Sequence, residues 1–239
     1  MIDTITQGSD EHFPHPNDPV SDEYMELKNE PVLYDWEIEV PMYGAWFVSM
    51  FGGGVGLLIA GCFALFGEDN SFAGSVLFSL LGVFSIFFIR YFGNPNEIFH
   101  YFITPKGVYY TQQGKVSDYF YLVINMLGWL LVLVSLVAVA VIGHFALVGA
   151  GGGAFMAMGM TKMRAKVSHL GAYFTNGDGE LNIYKRGLGI EVNGQPGGKW
   201  SYVVLHCLPD NFDQVYKYVK SRMPDYEEKE VLTRKEFGY

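Results

Sequence analysis

Residues Gly44 to Phe66, GAWFVSMFGGGVGLLIAGCFALF, form a run of 23 without a single charge. A helix needs about 20 apolar residues to cross the hydrocarbon of a bilayer, so this run alone restricts the folds open to the chain. Ser71 to Ile89 is a second such run and stops at Arg90. Phe120 to Ile142 is a third, and a fourth, from about His144 to Met160, is shorter and rich in glycine and alanine. Only 17% of the residues are charged, against about a quarter in an ordinary soluble domain.

The charges between these runs predict their topology. Glu68 and Asp69 separate the first two runs with no base beside them, whereas Arg90, Lys106 and Lys115 follow the second. Lys162, Arg164 and Lys166 follow the fourth. The bias of bases toward the cytoplasmic side then places 94–118 and everything beyond 162 in the cytoplasm. With bases at both ends, 120–160 crosses an even number of times, either by two helices turning near Gly143-His144 or by one long helix with a re-entrant return. The expected location is the bacterial cytoplasmic membrane with both termini cytoplasmic. The first residues lack a basic stretch and an early apolar stretch, so no signal peptide is expected.

The remaining segments read as strands and one helix. In PVLYDWEIEVP, Val32, Tyr34, Trp36, Ile38 and Val40 alternate with Asp35, Glu37 and Glu39, the period of a half-buried strand. EIFHYFITPKGVYYTQQGKV predicts two strands around a turn at Pro105-Lys106-Gly107, and several more follow residue 167. DNFDQVYKYVKSRM predicts an amphipathic helix capped at Asp210 or Asn211, with Phe212, Val215, Tyr216, Val219 and Met223 on one side.

Strands closed by one helix, in FHYFITPKGVYYTQQGK, LNIYKRGLGIEV, WSYVVLHCL and DNFDQVYKYVKSRMP, resemble the pleckstrin-homology-like cytoplasmic domains of bacterial membrane proteins. The resemblance implies a partly open β-barrel or sandwich with the helix as its cap. The resulting expectation is a membrane α plus β chain: four transmembrane helices in two hairpins inserted into such a domain. Residues 1–31 form an acidic, disordered N-terminal arm. The β domain takes 32–41, 94–119 and 163–224; the hairpins take 42–93 and 120–162; a polar tail takes 225–239.

The search for chemistry returns little. Gly149-Ala150-Gly151 with Ala154 mimics a dinucleotide fingerprint, but a long apolar run precedes it in place of a strand. Gly149, Gly153 and Ala157 instead recur at the four-residue spacing that lets membrane helices approach closely, as do Gly52 and Gly56 in the first run. His144 falls at a predicted turn, and Asn125 is expected to bond a neighbouring helix. Lys162, Arg164 and Lys166, extended by Lys185 and Arg186, are candidates for anionic lipid at the membrane surface. His12 and His15 have no companion ligands, and Cys62 and Cys207 stand far apart, so neither a metal nor a disulfide is expected. Asp118, Asp178, Glu180 and Glu191 read as isolated acids on turns or exposed strand faces.

No catalytic residue and no cofactor is expected. Eight acids against Lys28 in residues 1–31 exclude general nucleic-acid binding. The expected function is a non-enzymatic membrane adaptor or scaffold whose β domain binds a protein, a lipid or a second copy of itself. A membrane enzyme or small transporter subunit with its site between the helices is the alternative.

Overall fold

The computed structural model describes residues 18–66, 71–142, 166–175, 177–194, 201–234 and 237. The chain divides into two compact units, one of Met1–Glu37, His100–Gln112 and Val167–Gly238, the other of Ile38–Phe99, Gln113–Lys166 and Tyr239. Its elements in order are α1 (Asp22–Leu27), β1 (Tyr34–Val40), α2 (Ala45–Phe66), α3 (Ser71–Phe88), a π-helical turn (Ile89–Gly93), β2 (Glu97–Ile103), β3 (Gly107–Gly114) and α4 (Asp118–Ile142). There follow β4 (Val167–Tyr173), β5 (Gly179–Tyr184), β6 (Gly189–Gly194), β7 (Ser201–His206), α5 (Phe212–Arg222) and β8 (Glu227–Glu230). The strands form two sheets, ordered β1-β2-β3-β4 and β7-β6-β5-β8.

The core of the first unit follows from strand register. Leu181 opposes Val192, Ile183 opposes Ile190, and these two β6 residues oppose Val203 and Leu205 of β7. Alternation puts all six on one face, and all six are buried. Burying each such side chain contributes about 1.5–3 kcal/mol. The helix α5 buries Phe212, Val215 and Val219, and its Tyr218 ring meets Tyr34 and Phe174 edge-on. Asn211 stands at its N-cap position, but its side chain accepts from the Leu208 N–H at 2.8 Å and leaves the helix itself uncapped.

The edge of β7 is closed by two aromatic donors. Trp36 of β1 donates its Nε1–H to the His206 carbonyl at 2.7 Å, and Tyr101 of β2 donates its hydroxyl to the Val204 carbonyl at 2.8 Å. The two rings stack with centroids 5.1 Å apart. Successive even-numbered carbonyls of an edge strand point away from the sheet, so without these donors both would be orphaned as the rings bury them.

Two expectations about the fold are corrected here. Among the described residues, two helices are long and apolar enough to cross a membrane, Ala45–Leu65 and Phe72–Gly93, so four transmembrane helices in two hairpins are not supported. The fourth run and its turn at Gly143-His144 lie outside the described residues. The pleckstrin-homology-like barrel is also replaced. The strand ladder breaks into two separate sheets, and β8 follows the supposedly closing helix to pair in parallel with β5.

The acidic arm is folded from residue 18 onward. Ser21 Oγ caps α1 by accepting from the Tyr24 N–H and also accepts from the Gly171 N–H of β4. Pro19 and Ser21 exchange backbone hydrogen bonds with His169, and Tyr24 and Leu27 are buried. A Cβ at Gly171 would lie 2.7 Å from the Tyr24 nitrogen, which is why β4 carries glycine where α1 rests on it. The tail is engaged as well: β8 bonds to β5, and Phe237 is buried against Tyr184 and Gly189. Lastly, Glu191 lies buried beside Asn182, with which it is paired across β5 and β6. Its carboxyl is pushed up chiefly by desolvation, against hydrogen bonds from Asn182 and Tyr202.

Replacing Trp36 by Phe keeps the ring and removes the donor, so it should cost about 1–3 kcal/mol in chemical denaturation. Tyr101→Phe should cost a similar amount, and the pair should be non-additive because the donors act through stacked rings. His206 makes a second prediction. Burial, and then the charge of Arg234, push its imidazole down from 6.5 to about 4. Between those values the unfolded chain takes up a proton that the fold refuses. Stability should therefore fall as pH drops below about 6.5 and level off below about 4, a loss of about 3 kcal/mol. Glu191, with its raised carboxyl, acts in the opposite direction, so the measurement is the difference in pH profile between wild type and His206→Gln.

Candidate functional site

Both apolar helices of the second unit are held by small residues where they cross. A Cβ at Gly56 would lie 2.8 Å from Gly82 Cα, and one at Gly53 would lie 2.7 Å from the Ile86 nitrogen. The backbones of α2 and α3 thus touch, the close approach that small residues allow between helices. Gly56 thus faces Gly82 of α3. At Gly52 the near group is only the end of the Ile89 side chain, at 2.7 Å. Gly149, Gly153 and Ala157 lie outside the described residues. Gly82, which completes the crossing, carried no repeat that would have singled it out.

Where α3 ends, a polar ladder begins. The π-helical turn brings Arg90 inward, and Asn94 closes it by bonding the Ile89 carbonyl at 2.8 Å. Arg90 donates from Nη1 to the Asn94 carbonyl at 2.8 Å and from Nη2 to Asn96 Oδ1 at 2.7 Å. Asn96 passes the contact on, donating to Glu39 Oε1 at 2.7 Å, and Lys115 forms an ion pair with the other Glu39 oxygen. The Lys115 hydrogen bond, and then that of Asn96, hold the Glu39 carboxyl below its ordinary value. The backbone joins in, with the Lys115 N–H donating to the Asn96 carbonyl at 2.7 Å.

Arg90 is 9% exposed, with its guanidinium 5.5 Å from the ring centroids of both Trp46 and Tyr91. Phe88, Phe92 and Phe120 cluster beside it, Phe92 and Phe120 having centroids 4.9 Å apart. A cavity of about 490 Å³ is lined by Arg90, Asn96, Glu39, Lys115, Val116 and Phe120, among others. Sequence reading used Arg90 and Lys115 only as topological charges and Glu39 only as the outer face of a strand. The available signal was a lone arginine ending an apolar run, with the turn-forming GNPN beginning at Gly93.

Of the predicted lipid-facing bases, three are described, and they belong to two different units. Lys162 and Arg164 lie outside the described residues, and Lys166 is an exposed residue of the second unit. Lys185 and Arg186 belong to the first unit, on the short turn after β5, and Lys185 is paired with Glu230 of β8 at 3.0 Å. Among the described residues no three metal-binding side chains converge. His12 and His15 lie outside them.

The profile of the TsiV2 immunity protein family matches residues 15–230. The chain belongs to that family. It is 31% identical over 160 residues to Immunity protein TsiV2 of Vibrio cholerae serotype O1, over 64% of this chain and 64% of that protein, just under two thirds of each. No solved structure matches.

Membership replaces the pleckstrin-homology-like resemblance and, with it, the adaptor or scaffold function. The family is an immunity family and not a family of enzymes.

The helix crossing is testable. Gly56→Val and Gly82→Val should each lower the thermal midpoint of the detergent-solubilised protein by several degrees. Gly54→Val, on the same helix but with nothing within 4 Å of its Cβ, should leave the midpoint where it is.

Proposed function

We propose that the chain is an immunity protein that neutralises a cognate toxin by binding it, and that it does so from the bacterial cytoplasmic membrane. The observation that carries the first part is the family match across 15–230, which includes both sheets and the apolar hairpin alike. Binding without turnover makes protection stoichiometric: each toxin molecule is silenced only while a copy of the chain holds it.

The membrane location is supported by the outward faces of α2 and α3. Phe51 of α2 is 75% exposed and Phe72 of α3 is 80% exposed, and Phe47, Leu58, Leu65 and Phe84 are exposed with them. Water tolerates contiguous apolar patches of a few hundred Å² at most, whereas lipid solvates such a surface without cost. The hairpin leaves after β1 and returns at β2, which neighbours β1 in the sheet, so both its ends lie on one side of the bilayer. Arg90, Lys106 and Lys115, and later Lys162, Arg164 and Lys166, favour the cytoplasm for that side.

Bacteria exposed to the toxin should survive in proportion to the amount of chain they contain, and the purified pair should co-elute as a complex of fixed ratio. Equal killing with and without the chain would refute the neutralising role. Independently, the protein should stay with membranes through alkaline carbonate extraction, and a reporter fused after Tyr239 should read as cytoplasmic. Release by carbonate or a periplasmic reporter signal would remove the membrane location while leaving toxin binding intact.

A further inference from the structure

Arg90 is a buried cation with no anion paired to it among the described residues. Of the five N–H donors a guanidinium carries, the structure uses one on the Asn94 carbonyl and one on Asn96, and Nε is buried with no partner. No carboxylate among the described residues pairs with Arg90, and Glu39, the nearest acid along the ladder, is already held by Lys115. A neutral amide, a carbonyl and two ring faces only partly replace the water that this charge has lost. The unused donors belong to a group that lines the 490 Å³ cavity.

The surroundings select the missing anion. Arg90 stands at the end of the apolar span Phe72–Gly93, the depth at which the phosphates of a bilayer lie. Trp46 and Tyr91, which flank it, and the exposed Tyr43 and Tyr119 nearby in sequence to the ends of α2 and α4, are the residue types that gather at the membrane–water boundary. Pro95, Val116 and Phe120 give the cavity apolar walls, and Ser117 adds a hydroxyl. We infer that this cavity binds the phosphate diester of a phospholipid headgroup, with the Arg90 guanidinium as its anchor. A guanidinium presents parallel N–H groups that match two phosphate oxygens, and the apolar walls suit the glycerol that follows. The inference rests on the membrane location proposed above, and the lipid would seat the hairpin at a fixed depth.

Native mass spectrometry of the full chain, purified in detergent and titrated with dioleoylphosphatidylglycerol, tests it. Wild type should retain one lipid, and Arg90→Gln should bind about tenfold more weakly. Because Arg90→Gln risks the fold of the turn, Val116→Trp is the second variant: it keeps the guanidinium, fills the cavity and should bind equally weakly. Lys185→Gln, in the other unit, should match wild type. Equal lipid retention by wild type and Val116→Trp would overturn the site. Inorganic phosphate bound more tightly than the lipid would assign the cavity to a free anion, and displacement of the lipid by a short acidic peptide at lower concentration would assign it to a protein carboxylate. Either result overturns the lipid assignment. Carbonate extraction of membranes from the same cells separates the two failures: a chain retained in membranes but lacking lipid in the cavity sinks only this inference.

Discussion

Two carbonyls on the edge of β7 set the terms for the first unit. An edge strand offers unpaired polar groups that must be bonded or left wet, and here Trp36 and Tyr101 cover them and satisfy them in the same act. The opposite edge of that sheet is treated differently. There β8, with Glu227, Glu228, Lys229 and Glu230, is short, exposed and charged, which discourages pairing with another chain. One edge is thus sealed by buried side chains and the other by charge. The same economy holds at β4, whose backbone pairs with Pro19 and Ser21 ahead of α1.

Burial disfavours the charged forms of three groups in this unit. The Cys207 thiol is pushed up to about 12, the His206 imidazole down to about 4, and the Glu191 carboxyl upward. Reactive centres need the opposite arrangement, with nucleophiles made anionic and bases poised near neutrality. An inert interior of this kind suits a protein of an immunity family, whose work is done by its surfaces.

Much of the fold was legible because it follows from period. The alternation around Trp36 marks β1, the turn residues at 104–107 join β2 to β3, and Phe212, Val215 and Val219 mark α5. What escaped was pairing at a distance. Nothing local to EEKE distinguishes β8 from a loose tail, since its partner is β5 more than forty residues earlier. The acids before α1 read as disorder because net charge outweighs Tyr24 and Leu27 until β4 is there to cover them. The site was harder still. Arg90 looks like any basic flank of an apolar run until the π-helical turn rolls it inward over Asn96. The family itself was invisible to composition and spacing, because a pattern of strands and helices does not by itself fix a function.

The glycine crossing has a bearing on sheet formation. β1 and β2 are neighbours in the sheet, yet about 56 residues separate them, and closing so long a flexible loop costs roughly 3 kcal/mol more than a two-residue turn. That cost applies to a floppy chain. Once Gly53, Gly56 and Gly82 bring α2 against α3, the detour becomes a rigid fork whose two ends stand a fixed distance apart. The hairpin then acts on the sheet as an enlarged turn. A side chain that splayed the fork would be felt as lost strand pairing, far from where it was introduced.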